Sequence, residues 1–355
     1  MNLKEKIFLL SIVIFMVSCD YGNNLKDFGT TIYKIYTFNL SDSTLHEISD
    51  GLRPITLFQA DKLLFVTEEN FSSKVWLYDF STKGKEILAN DLHPPLFDDS
   101  VVSPDEKHLV FIKDKKLKLM DLNSGNVQVI DSSSNELIHI PVPKFSNDGK
   151  YIVYISSVKE KMDSSSSKFY YLNIYNIVSK STISIDTAFV KGHDRLEAKF
   201  TNDSKKVYML RDGWHPSNFR RQFEFTIYSL EQTPKLFRKK TIYTFDYRNN
   251  SWNIEDDKIL ILDRVGLREY DIKNDILTKT KKIDISLKEF EIRKVKNLDY
   301  LIGADEENNI QLIDLKGEIK YKIKPKIEGQ IYWADYFQKH NYILFATSQY
   351  LPPQN

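Results

Sequence analysis

The residue types best suited to recognising a ligand gather in one stretch, Arg211-Asp212-Gly213-Trp214-His215-Pro216-Ser217-Asn218-Phe219-Arg220-Arg221-Gln222. Trp214 offers aromatic bulk, and Arg220 and Arg221 offer forked donors that fit a carboxylate or a phosphate. His215 and Asp212 add an imidazole and a carboxylate. A shorter run, Lys191-Gly192-His193-Asp194-Arg195, brings a second histidine beside a second carboxylate. The alternative reading of the longer stretch is an ordered loop, with Trp214 tucked onto the fold and the arginines solvated. The chain contains no Gly-x-Ser-x-Gly nucleophile elbow, phosphate loop or dinucleotide fingerprint. No catalytic residue, cofactor or metal is therefore expected.

Composition narrows the partners. The chain has 355 residues, 41% of them hydrophobic, with 20 Tyr and 22 Phe, which favours strands around a sizeable core. Lys and Arg number 50 against 49 Asp and Glu. A near-neutral chain has no global field to gather nucleic acid, so nucleic-acid binding is not expected. With one cysteine there is no internal disulfide framework and no thiolate zinc site.

That cysteine is Cys19. Two lysines in Met1–Lys6 precede an almost wholly apolar run, Ile7–Val17, which fits a signal h-region and is too short to span a bilayer comfortably. Met16-Val17-Ser18-Cys19 resembles the lipobox of bacterial lipoproteins, although Met stands where Leu is commoner. The resemblance implies a signal peptide over 1–18, cleavage before Cys19 and acylation of its thiol and new amine. Two or three chains anchor stably where one does not. The competing reading is an uncleaved anchor. Residues 19–30 then read as a lipidated polar tether. Asp20 resembles an inner-membrane retention signal of enteric bacteria, but the rule differs elsewhere, so either membrane stays open. The expected location is the bacterial cell envelope, facing the periplasm or the surface.

The rest of the chain repeats. Alternating apolar residues end in a polar marker and an aliphatic or aromatic residue, as in Trp76-Leu77-Tyr78-Asp79-Phe80, Lys118-Leu119-Met120-Asp121-Leu122 and Gln311-Leu312-Ile313-Asp314-Leu315. The marker falls at 39, 79, 121, 176, 229, 271 and 314, giving intervals of 40, 42, 55, 53, 42 and 43. A period of about 40–45 residues is that of a β-propeller blade. Each copy is expected to be a third strand, followed by a polar turn and a fourth. The marker Asp residues are expected to cap that turn rather than form a functional ring of carboxylates. Upstream lie strand pairs with tight turns at Ser103-Pro104-Asp105-Glu106-Lys107, Ser146-Asn147-Asp148-Gly149-Lys150 and Thr201-Asn202-Asp203-Ser204-Lys205. These resemble the WD40-like propeller repeat of TolB and of the prolyl oligopeptidase N-terminal domain. The likeness to prolyl oligopeptidase covers its propeller only.

The ends complement each other. Residues 31–48 supply a third and fourth strand, and residues 329–348 supply a first and second. The expected fold is therefore all-β, a seven-bladed propeller over 31–350 whose ring closes when the N-terminal strands join the C-terminal blade. A pair of β-sandwiches is the competing fold, but it does not explain seven third strands at one period.

In such a ring the loops joining strand two to three, and strand four to the next blade, share one face. The long intervals belong to blades three and four, at Ser157–Lys168 and Arg211–Gln222, with Lys191–Arg195 between them. The candidate binding face is thus Trp214, His215, Arg220, Arg221, His193, Asp194 and Asp212. The expected function is a non-catalytic, lipid-anchored propeller docking a protein or peptide partner, held to the membrane through Cys19. Two alternatives remain. One is a metal-assisted lyase or lactonase acting on sugar acids, with His193, His215, Asp194 and Asp212 converging. The other is a carbohydrate-binding lipoprotein using exposed aromatics such as Trp214.

Overall fold

Each of the seven polar markers is the last residue of a third strand. The computed structural model describes residues 30–352 apart from 70–71, 91–100, 115, 132–142, 159–166, 192–194, 215–220, 231–234, 245–250, 256–257, 264–265, 272–273, 275, 278–292, 296–297, 306 and 315. The signal-peptide and lipidation expectations, Cys19 included, lie outside these residues. Among the described residues, no helix is long and apolar enough to cross a membrane.

Among the described residues the strands form seven antiparallel sheets, six four-stranded and one three-stranded. Blade 1 is Leu52–Leu57, Lys62–Glu69, Ser72–Asp79 and Lys85–Asn90. Blade 2 is His108–Lys113, Lys116–Asp121 and Val127–Asp131, with a single bridge from Val102 to Leu109 in place of a first strand. Blade 3 is Lys144–Phe145, Tyr151–Val158, Ser167–Asn176 and Ser181–Lys191. Blade 4 is Arg195–Phe200, Lys206–Trp214, Arg221–Ser229 and Lys235–Thr244. Blade 5 is Ser251–Glu255, Lys258–Asp263, Gly266–Asp271 and Ile276–Leu277. Blade 6 is Arg293–Lys294, Tyr300–Ala304, Ile310–Asp314 and Ile319–Ile323. Blade 7 is built from both ends of the chain: Gln330–Phe337 and Tyr342–Leu351 supply its first two strands, Thr30–Asn39 and Leu45–Asp50 the last two. Thr30, read from the sequence as the end of the tether, pairs with Leu351.

Burial orders the strands radially. Second strands are apolar on both faces; Leu109, Val110 and Phe111 are fully buried. Fourth strands such as Ile319–Ile323 are mostly exposed, so the first strand lies innermost. Buried clusters join blade 7 to 1, blades 1 to 2 to 3, blade 3 to 4, blade 4 to 5 and blade 6 to 7. Between blades 5 and 6, residues 278–292 are outside the described set. In blades 7, 1, 2 and 3 the pairing of third and fourth strands slips at the same place, between the fourth and third residues before the marker (Ile35/Tyr36, Val75/Trp76, Leu117/Lys118 and Leu172/Asn173). A bulge there adds twist, which the outer strand needs to wrap the sheet edge.

The markers cap turns, as expected. Asp79 Oδ1 accepts from the amides of Ser81 and Thr82, both at 2.9 Å, and Asp121 Oδ1 from those of Asn123 and Ser124. These bonds hold the Asp79 carboxyl at about 2, the Ser81 hydroxyl acting most strongly. At the turn between first and second strands, a small hydroxyl residue bonds an aspartate two residues on: Ser103 to Asp105 (2.6 Å) and Ser146 to Asp148 (2.7 Å).

The left-handed position of that turn is Gly149 in blade 3 (φ 70), Glu106 in blade 2 (φ 56), Ser204 in blade 4 (φ 59) and Asp61 in blade 1 (φ 59). In blades 1, 2 and 4 the non-glycine side chain there reaches back to the preceding blade, whereas Asn341 (φ 55), at the same turn of blade 7, donates to Ser41 Oγ and accepts from the Tyr336 hydroxyl within its own blade. Glu106 accepts the amides of Phe58, Gln59 and Ala60 at 2.9, 2.7 and 2.9 Å. Ser204 Oγ accepts the Asp148 amide at 3.0 Å. Asp61 takes Lys339 and His340 of blade 7. These three side chains thus stitch the ring on the face opposite the candidate binding face.

Candidate functional site

Because every third strand ends at its marker, extra residues must rise at the other end. There the structure corrects the sequence reading. The additional length of blades 3 and 4 is not mainly loop but strand. The second to fourth strands have 8, 10 and 11 residues in blade 3 and 9, 9 and 10 in blade 4, against 6, 6 and 5 in blade 2. At about 3.3 Å per residue, these hairpins stand roughly 10 Å taller. Only 159–166 and 215–220 separate their second and third strands. Blade 7 is tall as well, with ten paired positions from Thr30↔Leu351 to Asn39↔Tyr342. The sequence hid this because that hairpin is split between the two ends, so no repeat interval measures it.

Three of the seven candidate residues have a described backbone. Asp212 is the register partner of Arg195 on the first strand and of Phe223 on the third, and Trp214 is the partner of Arg221 at the tip of the hairpin. His193, Asp194, His215 and Arg220 lie outside the described residues. Among the described residues no group of three His, Cys, Asp or Glu could hold a metal ion.

Two polar arrangements escaped the sequence reading. The first is on the inner wall between blades 3 and 4. Lys144 on the first strand of blade 3 has a side chain 3% exposed, and its ammonium meets Glu197 Oε1 on the first strand of blade 4. Lys199 Nζ approaches the same oxygen at 3.4 Å. Ala198 and Phe200 pack into the cluster shared with blade 3. Alternation therefore puts Glu197 and Lys199 on the strand's other face, where their side chains are 30% and 24% exposed beside the buried Ala198 and Phe200. No motif marks such a pair, because its members are 53 residues apart in sequence.

The second is the turn between second and third strands of blade 6, on the candidate face. Asp305 is 3% exposed and accepts the amides of Glu307 (3.0 Å) and Asn309 (2.9 Å), the Asn309 side chain (2.8 Å), Gln311 Nε2 (2.9 Å) and Lys322 Nζ (3.2 Å). Burial pushes its carboxyl up, but these donors outweigh burial and bring it down to about 2. Asn308 next to it donates to the Gly329 carbonyl at 2.9 Å and so ties blade 6 to the start of blade 7. Asp305 organises this loop. A run of acids and amides, Asp305-Glu306-Glu307-Asn308-Asn309, was the available sequence signal.

No family model and no curated protein sequence matches the chain. Solved structures do. The tricorn protease superposes with a TM-score of 0.52 at 15% identity, covering 79% of this chain and 32% of that one. The β-propeller domain of the trilobed protease from Pyrococcus furiosus gives 0.51 at 12%, covering 84% and 96%. The acylaminoacyl peptidase of Pyrococcus horikoshii gives 0.50 at 12%, covering 80% and 47%. This chain thus spans about a third of the tricorn protease chain and about half of the acylaminoacyl peptidase chain. At such identities the likeness shows the fold: this protein is a β-propeller. The trilobed protease domain is described as having an open velcro topology. Here, by contrast, Thr30–Asn39 is hydrogen-bonded to Tyr342–Leu351 within one blade.

Proposed function

We propose that the protein is a lipid-tethered, non-catalytic propeller of the bacterial cell envelope that docks a protein or peptide partner through the face bearing the hairpins of blades 3 and 4. The observation that carries this reading is that the neighbouring blades 3 and 4 both raise long hairpins on the same face. Rigid strands that lift a hairpin tip hold recognition residues at low entropic cost. Trp214 and Arg221, register partners at such a tip, are of the types that anchor interfaces. Cys19 carries the lipid in this reading, and the membrane is reached through it.

The experiment is crosslinking in whole envelopes followed by capture of the protein, with wild type, Trp214→Ala, Arg220→Ala and Cys19→Ala. Labelled palmitate and the membrane fraction are followed in the same samples. The expected result is one partner recovered with wild type and lost with Trp214→Ala or Arg220→Ala, together with loss of palmitate and membrane association for Cys19→Ala. Recovery of no partner counts against docking. Stoichiometric divalent metal in the purified protein would instead favour a metal-assisted lyase or lactonase.

A further inference from the structure

We infer that the face bearing the raised hairpins is turned toward the membrane, and that the tip of blade 7 rests on the bilayer surface. This rests on the reading of Cys19 as the lipid-bearing residue and adds which way the anchored ring faces. Every third strand ends at its marker, so it begins on the raised face. The third strand of blade 7 is Thr30–Asn39, and the chain therefore enters the propeller on that face, beside Leu351.

Length decides which face the anchor can present. Residues 19–29 join Cys19 to Thr30, eleven residues that reach at most about 40 Å when fully extended. The pairing of blade 7 from Thr30↔Leu351 to Asn39↔Tyr342 spans about 30 Å at about 3.3 Å per residue. To lay the opposite face on the membrane, the tether would have to run back along that whole height. Only about 10 Å would remain to clear the turn beyond Asn39. With the raised face toward the lipid, no such detour is needed.

The two ends of blade 7 differ as this orientation requires. At the raised end Thr30, Thr31, Tyr350, Leu351 and Pro352 are all exposed, and none is charged. Tyr350 is 64% exposed, whereas Phe345 on the same strand is fully buried. At the other end stand Asp42, Lys339 and His340. Taking an ion out of water costs far more than taking out a phenol or a leucine. A tyrosine, with an apolar ring and a wet hydroxyl, suits the headgroup level of a bilayer. Blades 3 and 4 stand across the ring from blade 7, three blades away by either route. Their hairpins rise on the same face, so the segment they dock lies at the membrane surface.

The test uses the full-length acylated protein in vesicles of phosphatidylethanolamine and phosphatidylglycerol. A thiol-reactive fluorophore is placed at Thr31→Cys, on the raised end, or at Gln338→Cys, exposed at the other end of the same blade. Acylated Cys19 has no free thiol, so only the introduced cysteine takes the label. The label at 31 should be quenched by nitroxide lipids and shielded several-fold from aqueous iodide, and the label at 338 should show the reverse. Tyr350→Ser together with Leu351→Ser should return the label at 31 toward water. Equal quenching of the two labels, deeper burial of the label at 338, or indifference to the paired serine substitutions overturns the inference. Mass spectrometry of the vesicle-bound protein keeps the two readings apart. If Cys19 is acylated while the label at 31 stays in water, the anchor stands and the orientation falls. An unmodified Cys19 removes both.

Discussion

His340 Nε2 meets the Asp61 carboxylate across the seam between blade 7, which holds both ends of the chain, and blade 1. Lys339 Nζ takes the other carboxylate oxygen at 3.0 Å. The imidazole is steadied by aromatic rings on both blades: Phe337 at 4.9 Å and Tyr342 at 5.4 Å on its own, Phe80 at 6.0 Å on the other. A side chain that the repeat would allow to be glycine has become the clasp at this seam.

Asp61→Asn tests that clasp. Asn tolerates the left-handed backbone at φ 59, so the substitution removes charge without adding strain. We expect a loss of about 1–2 kcal/mol at neutral pH. Burial pushes the Asp61 carboxyl up, and the bonds to His340 and Lys339 outweigh it, leaving it below its ordinary value of 3.8. A depressed carboxyl stabilises the fold above its unfolded pKa, and that contribution disappears as pH falls through the folded one. The gap in melting temperature between wild type and Asp61→Asn should therefore be widest at neutral pH and close in acid.

Glu106 separates backbone from side chain. Glu106→Gly relieves the positive φ of 56 but strands three amides of blade 1, at Phe58, Gln59 and Ala60. Were the turn geometry alone at stake, glycine would stabilise. We expect a destabilisation of about 2 kcal/mol, because three amides lose a charged acceptor. Urea unfolding of the two proteins decides it, and unchanged or raised stability of the variant would refute the stitching role of this side chain.

Asp305 sets an acid limit. With a folded value of about 2 against an ordinary 3.8, its carboxyl contributes about 2 kcal/mol above its unfolded pKa. That contribution should fade progressively between about pH 5 and pH 1. Asp305→Asn should lower the midpoint of urea unfolding at pH 7 and flatten its decline below pH 5.

Gly329→Ala tests the entry to blade 7. Gly329 has φ 85, and a Cβ there would lie 2.6 Å from the Ser348 carbonyl oxygen. Backbone must shift, so the loss should reach about 2–4 kcal/mol. A melting temperature within a degree or two of wild type would show that the strands of blade 7 can part without cost.

The blade count, the third strand of every blade and the sharing of blade 7 between the chain ends were legible because each rests on local alternation and a polar cap, which recur at fixed spacing. Even the ends Asn39, Asp79, Asp121, Asn176, Ser229, Asp271 and Asp314 were readable, since a turn needs its acceptor at one position. The height of the blades was not. Residues 211–214 and 221–222 look like a loop because Asp, Gly and charged residues interrupt the pattern, yet 211–214 pair with 221–224, and 221–222 pair in turn with Thr244 and Tyr243 of Lys235–Thr244, so both are strand. Nor could any spacing announce that Glu106 reaches residues 58–60, that Asp61 meets His340, or that Lys144 and Lys199 share Glu197. Those pairings join different blades, and only the packing of blade on blade puts residues tens or hundreds of positions apart within hydrogen-bonding distance. Local chemistry is written along the chain; the seams and the inner wall come into being when the sheets pack.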